Sequence, residues 1–459
     1  MDKNPTIGYL PDERPPFWKL ILYAIQQVIV MFPATVAVAL ITGFHISTTI
    51  FASGLATLCF LFVTGRQIPL YYGSSFSYIA AIAGLMASES LAGSSLNEKI
   101  SIAQFGIIMS GLVSIAAGLI VNRFGKESIE KILPATITGP IAMVIGLTLA
   151  GTALGDATSI AIDNAGTISV ADDKVALAKN MAWIVSLVTL LATILFSVYL
   201  KGFIGQLPLI LGPILGCIAA YIIKLSTGID LFKILPETAA SGFFSRPIFT
   251  LPKPSWMAVA AIMPIAIATI PESTAHIYQL DIYVNDLARK KGTEKKYDLA
   301  NKLGLNLIGD GIGDMVSGFV GGPAGTNYGE NISAMAITKV FSVPVLIAAS
   351  IIAMLISFIT PLINSIYAIP TAVIGGLEIY LFGAIAAQGI AIMVEKKVDL
   401  FSAKNIAIIA TIMIIGLGGQ YQFSGSIPFF GIEIPCVAGA AIFGIILNII
   451  LSIGSRKKA

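Results

Sequence analysis

The sequence predicts an all-α polytopic membrane protein with 14 transmembrane segments in two inverted repeats of seven, with short broken or extended segments as spans 3 and 10. Three observations carry that expectation. Apolar runs of membrane-crossing length recur along the chain, basic residues gather in alternate loops, and proline motifs return at a nearly constant offset. Of 459 residues, 56% are hydrophobic and only 12% charged, against about 25% charged in an ordinary soluble domain. The net charge of +3 is too small to suggest a nucleic-acid partner; the partner such a surface demands is the lipid bilayer.

A helix needs roughly 20 apolar residues to cross the hydrocarbon core. Runs that meet this are 18–41, 46–65, 102–122, 132–154, 182–200, 204–224, 256–280, 298–319, 342–360, 369–393, 405–420 and 433–453. Two further stretches, 68–87 and 324–340, are apolar but interrupted by Gly, Ser, Asn and Thr. Residues 1–17 lack the apolar centre of a cleavable signal, so the first run is read as a permanent helix. With the N-terminus inside, 21 of the 28 Lys and Arg fall in inside segments, and Lys126, Lys131 and Arg456 to Lys458 are among them. The acidic stretch 155–173 falls outside, as does Lys233 in the long 224–255 loop. The charge rule therefore expects both termini in the cytoplasm and a multi-pass protein of the inner (plasma) membrane.

Phe32-Pro33-Ala34-Thr35 resembles Ile270-Pro271-Glu272-Ser273, 238 positions later, and Leu133-Pro134-Ala135-Thr136 resembles Ile369-Pro370-Thr371-Ala372 at an offset of 236. The interrupted stretches are third in each half. Seven spans is an odd number, so the second half enters the membrane from the opposite side. Paired broken helices in inverted halves are where secondary transporters place their sites. The expected layout is an N-terminal segment 1–17, a first repeat 18–225, an outer loop 226–255, a second repeat 256–453 and a tail 454–459.

Ionisable residues inside spans are costly and point to function. Three places stand out. In the eighth span Glu272 and His276 share a helix face one turn apart, and Pro271 beside them favours a local break. In the second interrupted stretch, Gly325-Thr326-Asn327-Tyr328-Gly329-Glu330-Asn331 places Glu330 at the start of a half-helix, where backbone N–H groups point at a ligand. Its counterpart Tyr72-Gly73-Ser74-Ser75-Phe76 offers backbone donors and an aromatic face. In the ninth span, Asp310 and Asp314 could serve a proton path or simply bond to neighbouring backbone; the structural reading has the edge. Taken singly, Phe76 and Tyr328 are as readily packing residues as ligands. With no Lys or Arg in these places, carboxylates and a histidine suit a neutral ligand and a coupled proton. No Walker-type loop appears, no cofactor is called for, and no nucleophile–base or metal-ligand set points to an enzyme. Cys59, Cys217 and Cys436 are far apart in apolar runs and form neither a metal spacing nor a disulfide framework.

These residues resemble the bacterial uracil permeases of the nucleobase–ascorbate (nucleobase–cation symporter 2) family. The resemblance rests on Gln26, Met31-Phe32, Ala34-Thr35-Val36, Gly73-Ser74-Ser75-Phe76, Glu272 with His276, and Thr326 with Tyr328-Gly329-Glu330-Asn331 and Met335-Ala336-Ile337-Thr338-Lys339. It implies fourteen spans, with 1–4 and 8–11 forming a core that holds substrate and 5–7 with 12–14 forming a gate. It implies proton-coupled uptake of a nucleobase, uracil before xanthine. Apart from the resemblance, sodium is the other coupling ion to weigh and a homodimer the assembly to test. By motif, Glu272 and Glu330 hold the base, Gly329 and Phe76 offer amides, with Tyr328 and Ser75 beside them. His276 supports Glu272, and Glu272, His276, Glu330 and Asp310 are the proton-coupling candidates. Two departures stand out: Ser333 occupies a position usually Gly, and Gln26-Gln27 replaces a common Gln-His. A different class, an anion transporter or channel on the same fold, is disfavoured by the membrane carboxylates.

Overall fold

The computed structural model describes residues 8–125, 127, 133–160, 172–201, 204–235, 242–429 and 432–455. Lys126, Lys131, the terminal Arg456, Lys457 and Lys458, and residues 161–171 of the acidic stretch, all used above in the loop-charge reading, lie outside the described residues. The first half contains α1 (Phe17–Thr42), α2 (Ile46–Val63), β1 (Tyr72–Ser74), α3 (Ile79–Ala87), α4 (Leu96–Phe124), α5 (Ala135–Thr148), α6 (Ala150–Ala157), α7 (Val175–Tyr199) and α8 (Pro208–Thr227). The second contains α9 (Trp256–Ile262), α10 (Ala266–Lys290), α11 (Leu303–Val320), β2 (Gly325–Asn327), α12 (Gly329–Thr338), α13 (Val343–Ile356), α14 (Thr360–Tyr367), α15 (Thr371–Glu395), α16 (Ala403–Phe423), β3 (Ser426–Phe429), β4 (Ile432–Pro435) and α17 (Cys436–Ser455). The order of helices broken by one short strand and a half-helix thus occurs twice. Among the described residues nine helical stretches are long and apolar enough to cross a membrane, and Phe76–Ala87, Val343–Ile356 and Cys436–Ser452 are shorter apolar ones.

Small residues let these helices close on each other. A Cβ on Gly111 of α4 would stand 2.4 Å from the Gly311 carbonyl oxygen of α11, and one on Gly311 would stand 2.3 Å from that of Gly111. About two turns along, Gly118 and Gly304 meet in the same reciprocal way. Numbers rise along one helix as they fall along the other, so the two halves pair antiparallel. Gly139 of α5 and Gly389 of α15 repeat the contact elsewhere. Lipid gives no hydrophobic drive between helices, so close backbone packing of this kind does the associating. The outward faces are apolar: Ile184, Leu187, Leu191, Leu195 and Val198 of α7 and Ile414 of α16 are all exposed. A bilayer solvates such a surface; water does not.

Strands β1 and β2 come from opposite halves and pair antiparallel, Tyr72 with Asn327, Gly73 with Thr326 and Ser74 with Gly325. The pairing is extended by the Tyr328 amide to the Tyr71 carbonyl (2.9 Å) and the Ser75 amide to the Ala324 carbonyl (3.0 Å). Each strand satisfies the other's backbone groups, which is what permits extended chain inside a membrane protein. A Cβ on Gly73 would lie 2.4 Å from the Tyr328 ring, so that glycine is required by close approach.

Three expectations about the helices need correction. Pro271 does not break its helix; α10 runs through it, and the irregular turn is at Met263–Ile265, around Pro264. That 3-10 turn sits upstream of Pro271 and joins α9 to α10. The run read as 256–280 continues helically to Lys290, because the polar residues after Tyr278 extend the helix past the apolar stretch. The run 342–360 is divided at Ser357, and α14 restarts at Thr360 with Pro361 in its first turn. Pro134 and Pro370 do correspond, each standing immediately before a helix as its N-cap.

Residues 8–13 form a strap across one end of the bundle. Tyr9 pairs parallel with Val340, Ser342 donates to the Glu13 carbonyl at 2.6 Å, and Lys291 reaches both Glu13 carboxylate oxygens at 2.7 and 2.6 Å. Asp12 bonds to Lys295 at 2.7 Å and accepts from the Tyr297 hydroxyl. Burial works against the ionised Asp12, yet these partners outweigh it and hold its carboxyl below the ordinary range.

Candidate functional site

The ribbon positions the expected residues. It is three pairs long, so the chain leaves it at points on the order of 7–10 Å apart. On one side Ser75 caps a 3-10 turn, Phe76–Tyr78, by accepting from the Ser77 amide at 3.3 Å, and α3 follows. On the other, Asn327 leads into α12, whose second residue is Glu330. Its first amides have no intrahelical partner, so they face whatever lies at the ribbon's end.

α10 brings Glu272 and His276 to the same place. The Ser77 hydroxyl donates to Glu272 Oε2 at 3.4 Å, and Glu330 is near enough to act on Glu272 electrostatically. A Cβ on Gly329 would be 2.9 Å from His276 Nε2, and the imidazole lies at hydrogen-bonding range of the Asn327 carbonyl. His276 Nδ1 is buried without a partner among the described residues. Phe76, Ser77, Glu272, His276, Gly329 and Glu330 are half-buried, whereas Ser75, Ser273, Tyr328 and Asn331 behind them are buried. These half-buried groups, two carboxylates, an imidazole, a phenyl ring and a helix N-terminus, stand in front of buried packing residues; the place where they gather is called the hollow below.

The polar residues behind the hollow brace it. Asn306 donates to Ser273 Oγ at 2.9 Å, Asn327 donates to Asn306 Oδ1 at 3.1 Å and to Ser273 Oγ at 3.2 Å, and Ser273 donates to Asp310. Asp314 accepts from the Tyr72 hydroxyl at 2.5 Å and from the Gly325 amide at 2.8 Å. Asp310 and Asp314 thus tie α10 and the ribbon to α11. Tyr328 is buried; its hydroxyl donates to the Ser74 carbonyl at 2.9 Å and lies 3.0 Å from Thr35 Oγ1. The Ser75 amide is taken by Ala324. Tyr328 and Ser75, expected beside the substrate, are therefore engaged in holding the crossing, while Phe76, Gly329, Glu272, Glu330 and His276 come together at the hollow.

Several bracing residues escaped the sequence reading. Ser77 lies in the 3-10 turn after β1, Ser273 between Glu272 and Thr274, and Asn306 between two leucines, and they share no sequence period. Gln27 was noted only as a departure; it is buried, and its side-chain and backbone oxygens accept from Asn331 Nδ2 at 2.8 and 3.0 Å, tying α1 to α12. Glu378, inside the apolar run 369–393, carried the same signal as the three places singled out and belongs with them.

A helical membrane bundle with broken segments crossing at a polar hollow defines a membrane transporter, and the comparisons say which kind. The Permease family model of xanthine/uracil permeases matches residues 18–425, and the chain belongs to that family. The chain is 35% identical over 448 residues to the uracil permease of Bacillus caldolyticus, covering 96% of this chain and 93% of that protein. It is 32% identical over 465 residues to the uracil permease of Bacillus subtilis strain 168, covering 100% and 98%. In fold it is similar to the transmembrane domain of the cyanobacterium bicarbonate transporter BicA, with a TM-score of 0.57 at 15% identity over 95% of this chain and 98% of that one. It is also similar to the murine anion transporter solute carrier 26 family member A9, with a TM-score of 0.62 at 12% identity over 99% and 74%.

Proposed function

We propose that this permease imports a nucleobase, uracil first, by proton symport. The observation that carries the reading is the meeting of Glu272 and Glu330 beside the α12 N-terminus. A planar base with ring N–H donors and carbonyl acceptors is matched by carboxylates that accept and helix amides that donate. Its flat face suits Phe76. The relatives named uracil permeases support the same choice. Spans 1–4 and 8–11 form the core around the hollow, and spans 5–7 and 12–14 form the gate against which it slides, giving fourteen spans with both termini on the cytoplasmic side. An anion substrate is disfavoured, because the hollow presents two carboxylates and no Lys or Arg.

The test is uptake of radiolabelled uracil into proteoliposomes, with unlabelled uracil or xanthine as competitor. Uracil is expected to enter and to be displaced by uracil in preference to xanthine. Uptake of labelled xanthine without uracil uptake replaces this reading with a purine permease, and anion currents without base uptake sink it.

A further inference from the structure

Glu378 sits on α15, and the charged groups that act on it are Asp156 and Lys233 rather than Glu272 or Glu330. It is 0% exposed, and no described donor reaches either of its carboxylate oxygens. Facing it is Asp156, near the end of α6, with the two carboxyls at hydrogen-bonding range. The backbone explains the approach: a Cβ on Gly375, three residues before Glu378, would stand 2.2 Å from the Ala157 nitrogen and 2.5 Å from the Asp156 carbonyl carbon. Lys233, in the segment after α8, is the third member. Its amide donates to the Ala368 carbonyl at 3.1 Å, which pins it beside the entry to α15, and its ammonium acts on both carboxylates. Burial draws the Lys233 ammonium below its ordinary range, and the two acids push it back up. Among the described residues Asp156 and Lys233 are the charged groups acting on Glu378; Lys224 of α8 is taken by Asp230 at 2.6 Å.

An ionised carboxylate only accepts, so two carboxyls hydrogen-bond to each other only when one carries a proton. With all three groups ionised the cluster holds one uncompensated negative charge, which is costly at this depth. With one proton it is neutral. We propose that Asp156 and Glu378, compensated by Lys233, form a proton-binding site separate from the hollow, in which the two acids share a single proton. Asp156 is half-exposed and gives that proton its route to water. Deprotonation breaks the shared O–H and releases H+ to the solvent. It leaves two carboxylates facing each other at the tight α6–α15 crossing, and their repulsion loosens that crossing. Both helices belong to spans 5 and 12 of the proposed gate, so the gate itself responds to pH.

Infrared difference spectra of the purified full-length protein between acid and alkaline pH test this without substrate. The wild type is expected to lose a protonated-carboxyl C=O band on alkalinisation. Glu378→Gln and Asp156→Asn should each abolish that component, because either leaves one carboxylate paired with Lys233. Glu272→Gln should leave it in place. Lys233→Met should move its loss to higher pH by about one unit or more, since removing the ammonium favours the protonated acid. Retention of the band in both amide variants overturns the site, and so does its loss in only one of them, which marks an isolated acid. A shift to lower pH in Lys233→Met also overturns it. Asp156→Asn alters a half-exposed side chain, so it reports on the pair even where Glu378→Gln is poorly folded.

Discussion

At the scale of single residues, the two kinds of buried carboxylate separate by what surrounds them. Glu272 faces the hollow and meets one weak donor, Ser77 at 3.4 Å, besides the field of Glu330. Asp314 is turned inward and receives the Tyr72 hydroxyl and the Gly325 amide. An amide at 272 removes the acceptor that a ring N–H would use and the capacity to hold a proton. An amide at 314 keeps one carbonyl oxygen in place of a carboxylate that accepts two bonds. Glu272→Gln is therefore expected to abolish uracil uptake in a protein of wild-type stability. Asp314→Asn is expected to retain measurable uptake while losing about 1–3 kcal/mol of stability. Uptake assays paired with thermal unfolding decide it; equal uptake by the two variants contradicts the assignment. Phe76 belongs with Glu272, half-buried at the hollow, whereas Tyr328 belongs with Asp314. The sequence placed all of them in one neighbourhood, but only burial and hydrogen-bond partners divide those that line from those that brace.

At the scale of elements, the antiparallel α4–α11 pair depends on the absence of side chains at its crossing. A methyl group on Gly311 would press within 2.3 Å of a backbone oxygen, whereas one on Gly383 of α15 would meet nothing within 4 Å. Gly311→Ala is expected to cost about 1–3 kcal/mol as overpacking, and Gly383→Ala to be neutral or slightly stabilising through helix propensity. Comparable unfolding temperatures for the two variants would refute the close-packing account. Elements of this kind were well marked in the sequence where apolar length alone sets them. The runs 18–41, 46–65 and 369–393 nearly coincide with α1, α2 and α15. Breaks were less legible. Proline at 271 changes its helix too little to interrupt it, since a neighbouring polar network, Ser273 with Asp310, Asn306 and Asn327, holds that stretch in place. The ribbon was visible only as an interruption. Its register joins residues about 250 positions apart, and local sequence carries no trace of that pairing.

At the scale of the whole molecule, the question is what drives a neutral base uphill. A neutral solute gains nothing from the membrane potential, so accumulation requires a co-transported charge. The order of elements recurs, and the antiparallel ribbon places the hollow where the two halves of the chain meet; in the proposed mechanism the core, built from both halves, slides against the gate to alternate its exposure. The proline offsets of 238 and 236 made that repeat legible from the sequence; the proton pair at Asp156 and Glu378 was not, because Asp156 looked like one member of an acidic loop. In the hollow Glu272 lies within the field of Glu330, and two ionised carboxylates so placed repel each other. In the proposed symport, a proton taken up with the base would relieve that repulsion and be released when the hollow opens to the cytoplasm. The two acids titrate as a pair, so the proton belongs to both. In the same proposal His276, whose Nε2 lies beside Gly329 and whose Nδ1 has no partner among the described residues, would hold the proton in transit or orient Glu272. Uracil accumulation in proteoliposomes is therefore expected to follow an imposed inward proton gradient and to collapse when a protonophore dissipates it. A sodium gradient alone should leave the label at its equilibrium level. Uphill uptake that survives the protonophore while an inward sodium gradient persists would transfer the coupling to sodium and remove the proton from Glu272 and Glu330.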